Sequence, residues 1–177
     1  MTGDGDGRTA VLGLGNVLMG DDALGPTVIA RLRAGYALPQ DVEVEDLGTP
    51  GLDLHPHLSG RDALIIVDTV RADAPAGSLR CYRKDEILRH APGPRIGPHD
   101  PGLKDALLWL QFSGQEPAEV LLVGVVPESC EGSVGLSETV SAAVPDAEAA
   151  VVEELRRLGH GVRRRETPEA PDLWWES

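Results

Sequence analysis

Near the N-terminus the apolar residues first form a short continuous run and then recur with helical spacing. The run spans residues 11–14 and leads into a glycine-rich turn that ends at Gly20. Together these patterns predict a strand, a tight loop and a helix that ends near Gly35. The apolar positions of the helix are Leu24, Val28, Ile29 and Leu32.

Four further segments have the apolar patterns of strands. Residues 63–67 (ALIIV) and 119–126 (EVLLVGVV) are almost continuous apolar runs, as expected of parallel strands that are covered on both faces. Residues 41–47 alternate Val with Glu, which indicates a half-exposed strand near a sheet edge. Residues 78–83 are a weaker strand candidate.

Three segments between and after these strands have helical periodicity. They are residues 52–58, 103–112 and 136–158, and Pro145 is expected to interrupt the last of them. Residues 160–177 mix charge clusters with prolines, so we expect a flexible C-terminal tail there.

The alternation of strands and helices predicts an α/β fold, a three-layer α/β/α sandwich around a mostly parallel sheet of about five strands. We expect residues 1–159 to form one such domain. In sheets of this kind ligands bind beyond the C-terminal ends of the strands. Three acidic residues fall at that edge: Asp22 after the first strand, Asp46 near the end of the second, and Asp68 at the tip of the third. Their convergence is the main functional signal of the pattern.

The glycine-rich turn has the spacing of a phosphate-binding loop but the opposite charge. Gly15 and Gly20 are separated as in that loop, yet Asp21 and Asp22 follow where Lys and Ser or Thr are needed. The dinucleotide-binding fingerprint also fails, because Leu18 stands where its third glycine belongs. The turn should therefore repel phosphate and attract a cation. An alternative role for one of the two aspartates is to cap the helix that follows.

Composition narrows the classes of function. The formal charge is −13, from 16 Lys and Arg against 29 Asp and Glu, which opposes binding to nucleic acid or to an anionic membrane. No apolar run approaches the ~18 residues of a membrane helix, and no signal-peptide pattern opens the chain, so we expect a cytoplasmic protein. Cys81 and Cys130 lack the spacing of a thiolate zinc site, and we expect both to be small buried apolar residues.

A histidine could complete a metal site with the carboxylates. His99 lies in a Pro- and Gly-rich loop that could fold over the same rim, and His55 and His57 compete for the role. Two carboxylates and one imidazole would form an open site with room for water or substrate. Neither a nucleophile elbow nor an HExxH helix is present, so a hydrolase here would work through carboxylates, a metal, or both.

Several segments together resemble the [NiFe]-hydrogenase maturation endopeptidases, which trim the C-terminal extension from the hydrogenase large subunit. Residues 13–25 (GLGNVLMGDDALG) are similar to that family's G-x-G-N-x-L-x-x-D-(D/E)-G-x-G signature, and residues 46–51 (DLGTPG) to its D-G-G-T-x-G. Residues 64–68 (LIIVD), 97–99 (GPH) and 124–128 (GVVPE) resemble three further family motifs. The resemblance extends from residue 11 to about residue 158.

The resemblance implies a role for each acidic position. Asp22, Asp68 and His99 match the family's metal-contacting positions. Asp46 matches an acidic residue beside that site and would be a catalytic base or an orienting residue. Nickel is then expected to arrive with the substrate, although other divalent ions could occupy the same ligands.

The resemblance also implies a substrate and a partner. Gly48 and Thr49 are expected to bind the substrate, the large-subunit precursor of a [NiFe] hydrogenase, and the enzyme is expected to be a monomer. Ala23 and Leu47 stand where the family has glycines. Cleavage would proceed through a metal-polarised carbonyl or a carboxylate-activated water. Two rival functions are a nickel-binding chaperone that holds the precursor without cutting it, and a nucleotide-binding α/β domain.

Overall fold

A computed structural model describes residues 8–50, 53–89 and 102–177 of the chain. Five strands form the main sheet in the order β3-β1-β4-β6-β5, and two short strands, β2 and β7, pair separately. The strands are β1 (Thr9–Leu14), β2 (Tyr36–Ala37), β3 (Val42–Gly48), β4 (Ala63–Thr69), β5 (Leu79–Arg83), β6 (Glu119–Val125) and β7 (Arg163–Arg164).

The main sheet is parallel except at one edge. β1 lies between β3 and β4, and β4 pairs with β6, all in parallel register. β5 pairs with β6 in antiparallel register and closes that edge of the sheet. The two apolar runs thus form central strands and the Val/Glu alternation forms the edge strand β3, as their patterns predict. The predicted fold class, an α/β sandwich with a mostly parallel five-stranded sheet, is confirmed.

Helices cover both faces of this sheet. They are α1 (Leu24–Gly35), α2 (Leu54–Leu58), α3 (Lys84–Arg89), α4 (Leu103–Phe112) and α5 (Glu138–Arg157). Ile65 and Val67 of β4 face a cluster built with α1 and α5, whereas Leu64 and Ile66 face a cluster built with α2 and α4. Within the described ranges, no helix is long and apolar enough to cross a membrane.

Pro145 does not interrupt α5, contrary to the expectation from sequence. The helix runs through it without a break from Glu138 to Arg157. Proline removes the hydrogen bond to the carbonyl four residues earlier, here that of Ser141. Both residues are exposed, so water can satisfy that carbonyl while Val144 and Ala147 stay in the core.

The C-terminal segment follows a defined path against α1, and the flexibility expected for residues 160–177 stays a prediction. β7 pairs with β2 at the end of α1, and the backbone N–H groups of Arg165 and Glu169 donate to the carbonyls of Gly35 and Ala34. The segment then returns along α1 and ends in a short 3-10 turn, in which Trp175 is only 7% exposed. A charged, proline-rich composition therefore coexists here with a defined path, because the α1 surface supplies its partners.

Candidate functional site

The turn after β1 begins at a glycine that no other residue can replace. Gly15 has a φ of +142°, and a Cβ there would lie 1.7 Å from the carbonyl oxygen of Asp22. Only glycine fits that backbone position. The Gly15 N–H also donates to the Gly48 carbonyl at 2.8 Å, which ties the turn to the end of β3.

Asp22 and Asp68 meet at Thr69. Asp22 is half-buried; its Oδ2 accepts from the Asn16 N–H at 2.7 Å, and its Oδ1 lies 3.3 Å from the Thr69 hydroxyl. Asp68 is 7% exposed, and its Oδ1 accepts from the Thr69 N–H at 2.7 Å. The fold thus brings both sequence-predicted residues into contact with Thr69 at the C-terminal edge of β1 and β4.

Asp21 is fully buried and holds a different part of the chain. Its carboxylate accepts four hydrogen bonds, from the N–H groups of Glu128, Ser129 and Ser137 and from the Ser137 hydroxyl, at 2.7–3.0 Å. Neither aspartate caps a helix through its side chain. The capping alternative considered for one of them is therefore wrong, and Asp21 binds the loop between β6 and α5 instead.

Cys130 is a member of this site that the sequence analysis does not identify. Both cysteines were expected to be buried apolar residues, but Cys81 is exposed and Cys130 is half-buried. Burial raises the pKa of the Cys130 thiol to about 11; the carboxylates of Asp22, Asp21 and Asp68 also act to raise this pKa, and a hydrogen bond with Thr69 acts to lower it. The thiol therefore faces the acidic edge and stays protonated near neutral pH. No local motif marks it, because its neighbours come from β1, β4 and the turn.

Asp46 lies on the other face of the sheet from Asp68. Val42 and Val44 of β3 pack towards α1, so strand alternation directs Asp46 to the same side, whereas Asp68 follows Leu64 and Ile66 towards α2 and α4. Asp46 is exposed, and it lines a cavity of about 270 Å³ between α1 and the C-terminal segment. The structure thus does not bring Asp46 against the Asp22–Asp68 pair.

A β-bulge explains the local role of Asp46. The β1–β3 register pairs Gly13 with Asp46 and Leu14 with Gly48, so Leu47 is the extra residue. Asp46 Oδ1 accepts from the Gly48 N–H at 2.9 Å across this bulge. Gly48, with φ +57°, then presents its carbonyl to Gly15, and the exposed Thr49 follows it. Asp46 therefore shapes the stretch that contains the two expected substrate-binding residues.

The three histidines considered as metal ligands, His55, His57 and His99, have different positions in the structure. His99, the expected nitrogen ligand, lies in residues 90–101, outside the described residues. His55 packs its ring against Trp109 with centroids 4.6 Å apart, and His57 Nδ1 lies 4.0 Å from Glu45 Oε2. Among the described residues, no three His, Cys, Asp or Glu side chains form a group that could hold a metal. The described part of the site thus supplies two carboxylates to any such ligand set.

The oxygen donors of Asp22 and Asp68 favour a cation over an anion. Carboxylate oxygens at a partly exposed edge favour a divalent cation, and a phosphate there would face like charges. The thiol of Cys130 adds a soft, neutral neighbour. The arrangement can bind a cation, or a metal-bearing group that enters from solvent.

Comparison with known proteins identifies relatives over most of the chain. A family model described as "HycI: Hydrogenase maturation protease" matches residues 26–154. The chain is 39% identical over 152 residues to the hydrogenase 2 maturation protease of Escherichia coli (strain K12), which covers 86% of this chain and 93% of that protein. It is 36% identical over 150 residues to the hydrogenase expression/formation protein HoxM of Azotobacter vinelandii, covering 84% and 72% of the two chains.

Solved structures agree with these sequence matches. The hydrogenase maturating endopeptidase HybD from E. coli superimposes with a TM-score of 0.82 at 38% identity, covering 89% of this chain and 98% of that one. The [NiFe] hydrogenase maturation protease HybD from Thermococcus kodakarensis gives 0.65 at 26% identity, covering 84% and 98%. The similarity therefore spans nearly the full length of both neighbours.

Proposed function

The chain belongs to the hydrogenase maturation protease family, and on that premise we propose that it removes the C-terminal extension from the large-subunit precursor of a [NiFe] hydrogenase after nickel insertion. Nickel is part of the substrate in this proposal. The enzyme recognises it through Asp22, Asp68 and His99, and another divalent ion could bind the same residues. The enzyme acts as a monomer in the cytoplasm.

The meeting of Asp22 and Asp68 at Thr69 is the observation that carries the proposal. The two carboxylates come from sequence positions 46 apart and converge at the edge where α/β sheets bind ligands. Their oxygens suit a divalent ion, and the exposed side of Asp22 leaves room for one carried by another protein. Two carboxylates alone form a weak site, which suits recognition of a metal already held by a substrate.

Cleavage itself needs a water molecule and an oriented peptide. Water adds to the scissile carbonyl, the C–N bond breaks, and the leaving amine takes up a proton, which yields a new carboxylate and the freed extension. Activation comes either from nickel that polarises the carbonyl or from a carboxylate that accepts the water proton. We assign Asp46 to this step as the residue that holds Gly48 and Thr49 against the peptide, because its side chain points to the face of the sheet opposite Asp68 and its Oδ1 accepts from the Gly48 N–H.

Processing of a nickel-loaded precursor by purified protein tests the proposal. Asp22→Asn, Asp68→Asn and His99→Ala should each abolish the mass loss that accompanies cleavage. Asp85→Asn is the matched control, because Asp85 is an exposed carboxylate paired with Arg89 on α3. Normal cleavage by all three site variants would refute the assignment of the site. A precursor that binds the wild-type protein but keeps its full mass would show a chaperone instead.

A further inference from the structure

We propose that Asp21 is a positioning residue that locks the loop of residues 126–137, here called the β6–α5 loop, against the turn that carries Asp22. The functional part of this inference rests on the proposed cleavage reaction. The two neighbouring aspartates then have different roles. Asp22 faces the incoming metal, and Asp21 fixes the β6–α5 loop on the opposite side of the crevice.

Among the described residues, the hydrogen bonds of the Asp21 carboxylate all go to that loop. Oδ2 accepts from Glu128 N–H at 2.8 Å, from Ser129 N–H at 3.0 Å and from the Ser137 hydroxyl at 3.0 Å, while Oδ1 accepts from Ser137 N–H at 2.7 Å. The partners lie 107–116 positions along the chain from Asp21. One carboxylate therefore holds both ends of a single loop.

Backbone contacts between the two segments show how closely they fit. Gly20 N–H donates to the Ser133 carbonyl at 2.7 Å, and Asp21 N–H donates to the Ser129 carbonyl at 3.0 Å. Gly20 has a φ of +56°, and a Cβ on it would lie 2.8 Å from the Ser129 carbonyl oxygen. The turn and the loop thus form one unit, in which Asp21 is the central acceptor.

The position of Cys130 links this unit to the crevice. Cys130 lies between Ser129 and Ser137, the two serines that Asp21 binds. Its thiol is hydrogen-bonded to Thr69 and faces Asp22 and Asp68. The β6–α5 loop therefore forms a wall of the site, and loosening its anchor would move that wall relative to Asp22.

Asp21 differs from the two buried glutamates of the described chain. Glu148 and Glu154 pair with arginines, Arg31 and Arg83 among them, whereas Asp21 is matched only by N–H and hydroxyl donors in the described structure. Asp21→Asn is close in shape but replaces one accepting oxygen with a donating NH₂ that meets N–H groups. The substitution should therefore release the loop without removing a packed side chain.

Hydrogen exchange and precursor processing on the full chain test this role together. In Asp21→Asn, amides of residues 128–137 should exchange about tenfold faster, the effect expected from losing one charge-assisted hydrogen bond, while amides of β4 keep their wild-type rates. Processing of nickel-loaded precursor should fall by a similar factor. Ser137→Ala keeps the Asp21 charge and removes one donor to it, together with the side chain that caps α5 at the Val140 N–H. It should shift both measurements in the same direction by less, and it replaces Asp21→Asn if that variant does not fold.

Glu154→Gln is the control, because it also neutralises a buried carboxylate but lies on α5 away from the loop. At equal folded fraction it should leave both measurements at their wild-type values. Wild-type exchange or wild-type processing in Asp21→Asn would overturn the inference, as would a control that reproduces both changes. Wild-type protein that leaves the precursor uncut would refute the proposed function instead, and the exchange rates would still decide whether Asp21 anchors the loop.

Discussion

The Thr69 hydroxyl lies 3.3 Å from Asp22 Oδ1, although the two residues are 47 positions apart in the chain. β1 and β4 are adjacent parallel strands, so residues that follow their C-terminal ends become neighbours. Thr69 also contacts the Cys130 thiol, and its own N–H holds Asp68. A single threonine therefore connects three groups that face the crevice.

Thr69→Val should reduce processing of nickel-loaded precursor about fivefold, because the orientation of Asp22 loses a hydrogen bond worth about 1 kcal/mol. The valine keeps the shape of the threonine and the backbone bond to Asp68. Thr27→Val is the matched control, since the buried Thr27 hydroxyl donates at 2.7 Å to the carbonyl of Ala23, the residue that precedes α1. Initial rates should separate the two variants; equal rates for both would contradict the role of Thr69.

Gly15→Ala should destabilise the fold by about 3 kcal/mol or more, because a side chain is strained at that φ and its Cβ would collide with the Asp22 carbonyl. Gly35→Ala should be neutral, since a Cβ there meets no atom within 4 Å among the described residues. Denaturant unfolding of both variants measures the difference. A Gly15→Ala protein as stable as wild type would show that the turn adopts another backbone path.

Stability should fall in acid through Glu154. Burial acts to raise its pKa, but hydrogen bonds from Arg157 and Arg83 outweigh burial and lower the pKa to about 2. A folded-state pKa below the ordinary value of 4.5 contributes stability that is complete above about pH 4.5 and is lost as pH falls towards 2. Both guanidinium groups are more than 40% exposed, so solvent screening limits the contribution to about 2 kcal/mol.

The free energy of unfolding, measured from pH 6 to pH 2 in wild type and Glu154→Gln, checks this prediction. The variant should be less stable at pH 6 and should converge with wild type near pH 2. Parallel curves over the whole range would indicate that Glu154 has the same pKa in the folded and unfolded chain.

The two tryptophans of the C-terminal segment should contribute very different amounts to the free energy of unfolding. Trp175→Ala should cost about 3 kcal/mol because it empties a buried site, whereas Trp174→Ala should cost less than about 1 kcal/mol because Trp174 is 64% exposed. Within the described part of the chain, Trp175 Nε1 is buried without a hydrogen-bond partner, so Trp175→Phe should be tolerated. Thermal unfolding compares the three; equal losses for the two alanine variants would show that this segment is not anchored.

The strands and most helices could be predicted from the sequence because their signals are local. The apolar runs of β4 and β6 and the periodicity of α4 need no tertiary information. Pro145 misled the prediction because its cost depends on whether Ser141 faces water, which only the folded helix determines. The path of the C-terminal segment could not be predicted for a similar reason, since its partners lie on α1.

Only part of the candidate site could be predicted from the sequence, because the rest depends on contacts between segments that are far apart in the chain. Asp22 and Asp68 could be placed at one edge because strand order implies it, yet the Asp21–Asp22 pair reads as two equivalent carboxylates. Their difference arises from donors at Ser129 and Ser137, more than 100 positions away. Cys130 carries no signal of its own. Alternation along β3 places Asp46 on the same face of the sheet as Val42 and Val44. That this face is the one covered by α1, away from Asp68, could be seen only in the folded structure.

The return of the C-terminal segment along α1 has a practical consequence for anything fused to the chain. Glu176 lies beside Gly135 and lines a groove with Thr27, in the first turn of the helix that follows Asp22. A bulky domain attached after Ser177 would sit next to the β6–α5 loop, to which Gly135 belongs, and would obstruct a protein-sized substrate that approaches this loop more than a free ion. Affinity tags therefore belong at the N-terminus. A deliberately large C-terminal fusion would exclude a protein-sized substrate while still admitting a free ion.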